Sequence, residues 1–304
     1  MDRVVIVTKP SRLEELVLRH LTEGAAQFVL ESNGQPIAPY KEEDATYKAA
    51  LFEIRRQIPN DLPVTSVSRE DLPNFLFRET DFIVVCGPDG LFVNLAKYIG
   101  NQPVLTVNPD PRNVAGVLML FPPHAVGAVI ARAQEGKHRL ESLPLAKASI
   151  DDDHVVWAIN DIFIGRKDHI SARYLISIGD QSEHQSSSGV IVSTGVGSTG
   201  WMRSVAAMVT ALTRDGIVGK LSPLPGATSK ELVFVVREPF PSRNTGAKIV
   251  TGRVTPGRAL TAISEMPSGG YIFSDGIVEK AVEWNAGSEV VVSVGERYVR
   301  RIVH

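Results

Sequence analysis

The chain has 304 residues, 43% of them hydrophobic and 22% charged, which is ordinary globular composition and enough length for two domains with separate cores. A formal net charge of -2, with Lys and Arg scattered along the chain, excludes the basic footprint of a nucleic-acid or anionic-membrane binder. The single cysteine, Cys86, excludes an internal disulfide and sits in an apolar run that suits a small buried residue.

No stretch reaches the roughly 20 apolar residues that span a bilayer. Met1-Asp2-Arg3 leads directly into Val4-Val5-Ile6-Val7, without the apolar core and cleavage site of a signal peptide. A reducing, cytoplasmic location without membrane contact is therefore expected. Val4 to Val7 reads as a buried strand. Ser11 is placed to cap a helix whose apolar side carries Leu13, Leu16, Val17 and Leu21. Ala45 to Ile58 reads as a second helix, Phe82 to Cys86 as a buried strand, Leu91 to Ile99 as a short helix and Pro103 to Val107 as a strand. Strand, helix and strand in such a short span form a βαβ unit and hence a parallel sheet. Pro122-Pro123 then opens a helix through Ala133, which Gly136 stops.

After about residue 140 short alternating strands take over: Val155 to Ile164, Tyr174 to Ile178, Glu231 to Val236 and Val290 to Val294, punctuated by Gly and Pro. One helix interrupts them, with Trp201, Val205, Met208, Val209 and Leu212 on a face that reads as core. Arg297, Arg300 and Arg301 read as a solvated strand edge. The expected architecture is an α/β domain with a parallel, Rossmann-like sheet over 1–140, then a mainly β, sandwich-like domain over 141–304.

Three segments carry candidate chemistry. Gly87-Pro88-Asp89-Gly90 follows a buried strand and precedes a helix, where parallel sheets collect ligands and free N–H groups attract phosphate. An aspartate there repels phosphate unless it meets Mg²⁺ or an acceptor hydroxyl; as a plain turn, it would cap the helix. Gly195-Val196-Gly197-Ser198-Thr199-Gly200 follows the strand Gly189 to Thr194 and spells G-x-G-x-x-G. The dinucleotide reading of that motif needs a second strand ending in an acidic residue. Here Asp215 and Gly216 follow the helix with no strand between, which leaves a glycine- and hydroxyl-rich turn that a polar ligand can approach. Finally, Asn160-Asp161 sets two polar side chains in an apolar strand. At least one should face inward and need a partner, unless a bulge or strand end leaves both in water. Walker A, protein-kinase, serine-elbow and zinc-ligand patterns are absent, and the seven histidines are dispersed.

In this order the segments resemble the NAD kinase family, with its Gly-Gly-Asp-Gly turn, Asn-Glu or Asn-Asp pair and Thr-Gly-Ser-Thr-Ala-Tyr-like turn. The divergent mitochondrial-type members are more similar still, at Val107 to Pro111, Asn160 to Gly165, Ser187-Ser188-Gly189, Arg237-Glu238-Pro239 and Asp275-Gly276. The resemblance spans roughly residues 80 to 280. It implies transfer of the ATP γ-phosphate to the 2′-hydroxyl of the NAD adenosine ribose, in a site between the two domains. Asp89 would be catalytic, and Gly87, Gly90, Ser193 and Thr194 would hold the donor phosphates. Asn160, Asp161, Thr199, Gly200, Trp201 and Ser204 would bind NAD. Mg²⁺ would arrive with ATP (or polyphosphate) rather than on a protein metal site, and a homo-oligomer, dimer or tetramer, is implied. Pro88 replaces a family glycine and removes one N–H from the turn. Ser188 stands where many bacterial members have aspartate. The alternatives are a sugar or lipid kinase of the same architecture, or an inactive nucleotide-binding regulator.

Overall fold

The computed structural model describes residues 1–151, 154–212 and 223–304; Asp215 and Gly216 lie outside the described residues. The chain divides into two compact units, Met1–Glu141 together with Arg300–His304, and Ser142–Val299.

In the first unit β1 (Arg3–Thr8), β2 (Val64–Ser68), β3 (Asp81–Cys86) and β4 (Pro103–Val107) pair in the order β2-β1-β3-β4, all parallel. Val4 to Val7 and every residue of β3 are buried, as expected of continuous apolar strands covered on both faces. The helices are α1 (Arg12–His20), α2 (Glu23–Ser32), α3 (Ala38–Gln57), α4 (Asp89–Leu95) and α5 (Val126–Gln134). Ser11 caps α1 in a reciprocal box: its hydroxyl accepts from Glu14 N at 3.1 Å, and Glu14 Oε2 accepts from Ser11 N at 2.9 Å. Leu21 does not join the packed face of α1. It is the left-handed C-cap, at φ 68° and 86% exposed. α3 begins at Ala38 rather than Ala45, because Pro39 opens a first stretch that is polar and solvent-facing. α2 escaped the sequence reading, since only Ala26 and Leu30 are buried along it. Burial pushes the Cys86 thiol up to about 12, so it stays protonated and inert.

Residues 300–303 end β16 (Glu289–Val303), and Arg300 and Arg301 pair in parallel with Pro103 and Val104 of β4. This corrects the reading of Arg301 as a solvated edge. Its side chain is buried, ion-paired with Glu141, and donates through Nη1 to Leu118 O at 3.2 Å.

The second unit holds β5 (Arg139–Ile150, from Ser142), β6 (His154–Ala158), β7 (Asp161–Arg166), β8 (Ala172–Ile178), β9 (Gln181–Ser187), β10 (Val190–Ser193), α6 (Trp201–Leu212), β11 (Leu232–Val236), β12 (Thr251–Val254), β13 (Leu260–Ser264), β14 (Gly270–Ser274) and β15 (Ile277–Glu283). One sheet, β12-β11-β10-β7-β14-β15, is antiparallel throughout. The other contains the antiparallel series β16-β13-β8-β9 and the antiparallel pair β5-β6. Ile162, Ile164, Val192 and Phe234 from the first sheet share one core with Ala148, Tyr174, Ile176 and Leu260 from the second. The unit is a β-sandwich, so the fold is a parallel α/β unit followed by an antiparallel β unit, as the sequence implied.

Two expectations need correction. Val155 to Ile164 is not one strand: β6 lies in one sheet and β7 in the other, and Ile159-Asn160 make the passage. The apolar pattern runs on because each half faces a core. α6 covers the outer face of the six-stranded sheet through Trp201, Met202 and Val205 against Phe163, Ile191, Val233 and Val235. Met208 and Leu212, read as core, are 49% and 78% exposed, so the packed stripe fades toward the helix end.

Candidate functional site

In the first unit the connection between β3 and α4 is only Gly87-Pro88. Gly87 is buried and its N–H donates to Val107 O at 3.3 Å; Pro88 is the exposed N-cap, with no side-chain cap bond. Asp89, half-buried at the first helical position, does not cap α4. Its Oδ1 accepts from Leu118 N at 3.0 Å and its Oδ2 from Val117 N at 3.1 Å. The loop that supplies these donors is folded by Asn108, which donates to Val114 O at 2.7 Å and accepts from Asp110 N at 3.0 Å. The carboxylate is thus fixed with lone pairs to spare on both oxygens. Gly90 faces open space.

Beside this turn, at the carboxyl ends of β1, β3 and β4, lies a cavity of about 590 Å³ lined among others by Lys9, Arg12, Glu43, Tyr47, Gly87 and Asn108. Its cations are already engaged: Lys9 with Glu15 at 3.3 Å, and Arg12 with Glu43 while its guanidinium lies 4.8 Å over the Tyr40 ring. Sequence reasoning missed Lys9 and Arg12. Their place just after a buried strand, at the edge where ligands gather, was the available signal.

In the second unit the structure brings Asn160, Asp161, Ser193 and Thr194 together. β7 and β10 pair so that Ser193 stands opposite Asp161. Thr194 N donates to Asn160 O at 2.9 Å, and the Thr194 hydroxyl donates to Ile159 O while accepting from Val196 N and Gly197 N, both at 3.1 Å. On the other side the Asp275 carboxylate accepts from Ile159 N at 3.3 Å, Asn160 N at 2.8 Å and Asp161 N at 3.2 Å. Burial above all pushes the Asp161 carboxyl up to about 7; the Ser193 hydroxyl pulls it down and the Asp275 charge pushes it further up. Asn160 Oδ1 and Asp161 Oδ1 are buried without a hydrogen-bond partner among the described residues.

The hydroxyls of the Ser193 to Gly200 turn, expected to line a nucleotide pocket, are largely spent inside the protein. Ser198 donates toward Gly195 O at 2.7 Å and Pro225 O at 3.0 Å, and Thr199 to Val196 O at 3.0 Å. Two glycines also have packing reasons. A Cβ on Gly195 would lie 1.8 Å from Gly226 O, and one on Gly197 2.3 Å from Asn160 O. β10 runs antiparallel to both neighbours, so this turn does not open a βαβ unit, despite its G-x-G-x-x-G spelling. Beyond Gly200, Trp201 stacks on Phe163 at 5.7 Å, Phe163 on Phe273 at 4.9 Å, and Arg237 lies 5.6 Å over the Trp201 ring; Ser204 is exposed. The sequence named Trp201 but not this aromatic platform. Among the described residues no three His, Cys, Asp or Glu side chains gather as a metal site.

No protein-family model matches the chain. It is 27% identical over 161 residues to an NAD kinase of Bacteroides fragilis, 50% of this chain and 54% of that protein. It is 29% identical over 150 residues to an NAD kinase of Cupriavidus pinatubonensis, 46% and 48% of the two chains. The chain thus spans about half the length of the curated relatives it matches. Among solved structures, an NAD kinase from Archaeoglobus fulgidus in complex with ATP superposes with a TM-score of 0.60 at 18% identity, over 99% of this chain and 93% of that one. The yeast NADH kinase complexed with NADH gives a TM-score of 0.62 at 16% identity, over 99% and 83%. The chain is therefore similar to NAD kinases in sequence over about half its length, and it has their fold over nearly all of it.

Proposed function

We propose that the chain is a phosphotransferase that moves the ATP γ-phosphoryl group to the adenosine ribose 2′-hydroxyl of NAD. The observation that carries this reading is the pair of buried acceptors, Asn160 Oδ1 and Asp161 Oδ1, left without partners among the described residues in a turn whose backbone is otherwise bonded on both sides. Burying an unpaired acceptor is costly, and native proteins seldom do so without a use for it. The missing partner must bring hydrogen-bond donors, as ribose hydroxyls do. The likeness to NAD kinases, two of whose structural counterparts hold ATP and NADH, supports the same choice of substrates.

In this reading Asp89 orients the acceptor hydroxyl. The hydroxyl oxygen forms the new bond to the γ-phosphorus as the bond from that phosphorus to the β–γ bridging oxygen breaks. ADP leaves, and the hydroxyl proton passes to the Asp89 carboxylate and on to solvent. Such transfers depend on positioning and charge neutralisation, which Mg²⁺ brought with ATP would share. Asn160 and Asp161 hold NAD, with Thr199, Gly200, Trp201 and Ser204 beyond them. The cavity beside Gly87 favours the donor phosphates, for which Lys9 and Arg12 would exchange their carboxylate partners.

Pro88 favours a second reading, a protein that binds NAD without turnover, because it takes one N–H from the turn next to Asp89. The test supplies ATP·Mg²⁺ with NAD, glucose or a diacylglycerol and measures NADP and the phosphorylated rivals. NADP formation supports the proposal. A phosphorylated rival without NADP overturns it in favour of another acceptor, and NAD binding with no turnover overturns it in favour of the regulator.

A further inference from the structure

The passage from β6 to β7 changes sheets, so Ile159 and Asn160 belong to no strand and their backbone groups must find partners elsewhere. The carbonyls of Ile159 and Asn160 are taken by Thr194, and that of Asp161 by Asp275 N at 2.8 Å. The three N–H groups all go to one carboxylate. Asp275 Oδ1 accepts from Asn160 and Asp161, and Oδ2 from Ile159.

Asp275 is well placed for this. With Gly276 it forms the two-residue turn of the β14-β15 hairpin, where Ser274 pairs with Ile277. Both turn residues have positive φ, 54° and 73°, the conformation that favours Asp-Gly in tight hairpins. That turn projects the carboxylate at the passage 114 to 116 residues earlier in the chain. The result is a segment with backbone bonds on both sides and two side-chain oxygens unmet among the described residues.

We propose that Asp275 is a positioning residue: by gripping three consecutive N–H groups, it sets the direction in which Asn160 and Asp161 present their oxygens to the acceptor. The proposal rests on the acceptor reading above. In this role Asp275 acts through the backbone of Ile159, Asn160 and Asp161, so its loss bears on the acceptor rather than on ATP. An amide at this position would keep one oxygen for Asn160 and Asp161 but turn a donor toward Ile159 N, preserving part of the grip.

The experiment compares wild type, Asp275→Ala and Asp275→Asn for KM(NAD), KM(ATP) and kcat in NADP formation, together with amide exchange of the peptide covering 159–161. Asp275→Ala is expected to raise KM(NAD) at least tenfold, to leave KM(ATP) within about threefold, and to speed exchange in that peptide. Asp275→Asn should recover most of the loss yet still raise KM(NAD) about fivefold with KM(ATP) unchanged, and that selective rise carries the test if the alanine variant fails to fold. Unchanged KM(NAD) in both variants, or constants for NAD and ATP that rise together, would overturn the role given to Asp275. A wild type that forms no NADP would instead overturn the acceptor reading beneath it.

Discussion

Asp161→Asn offers the sharpest test of the buried polar turn, because it removes a titration that burial shifts toward neutral pH. In the folded chain burial holds the Asp161 carboxyl at about 7, against an ordinary 3.8. At 1.36 kcal/mol per tenfold in proton affinity, ionising it in place costs about 4 kcal/mol. The folded pKa is the higher one, so the sign is fixed. Below pH 3.8 both states hold the proton and nothing is lost. Between 3.8 and about 7 the unfolded chain ionises first, so stability falls as pH rises, and above about 7 the loss is complete. About 3 kcal/mol of it lies between pH 5 and 8. Asp161→Asn keeps the shape and has no proton to lose, so wild type should weaken relative to the variant over that window. At about 2–4 °C per kcal/mol for a unit of this size, the Tm difference should change by about 6–12 °C. Melting curves of both proteins at pH 5, 6, 7 and 8 measure it, and parallel pH profiles would refute the burial argument. The same ionisation should give wild type an acid limb near pH 7 in kcat/KM for NAD.

Asp89→Asn should lower kcat for NADP formation by about a hundredfold or more while circular dichroism and NAD affinity hold; near wild-type turnover would remove Asp89 from the mechanism. Asn160→Ala should raise KM(NAD) more than KM(ATP), and a change confined to ATP would misplace the pair. Pro88→Gly restores an N–H and should tighten ATP binding by up to about tenfold, the equivalent of 1.4 kcal/mol, less what the freer backbone costs; calorimetric titration reads it directly. Arg301→Ala leaves Glu141 without its partner and should destabilise the first unit by about 3 kcal/mol; a loss below about 1 kcal/mol in urea unfolding would mean the pair behaves as a surface one.

What the sequence disclosed was local. β3 and β4 are short apolar runs between turn residues, and Ser11 sits three residues before Glu14, so strand and cap follow from neighbours in the chain. What it concealed depends on distant partners. β9, spelled Gln181-Ser-Glu-His-Gln-Ser-Ser187, has no strand-like apolar alternation and is a strand because β8 pairs with it along seven residues. Arg301 reads as solvated until Glu141 is brought to it from 160 residues away. The site divides in the same way. Asp89 and the Asn160-Asp161 pair stood out as charges and amides in places that disfavour them. The glycines at 195 and 197 invited a ligand when the nearby Gly226 and Asn160 carbonyls already require them. The grip of Asp275 on residue 160 could not be read from the chain at all, since only folding joins them.

The placement of Arg300–His304 has a bearing on synthesis. Phe121 already bridges the end of β4 at Val107, but Pro103 and Val104 pair with residues translated nearly 200 positions later, so that stretch of the β4 edge waits while the entire sandwich is being made. The sandwich thus behaves as a long insertion within the α/β unit, free to fold as it emerges, whereas the α/β unit closes only after its final strand leaves the ribosome. A fragment cut near Glu141 would then show an open edge to its neighbours and aggregate. Supplying residues 300–304 by a short linker in a permuted chain would give the α/β unit its missing strand.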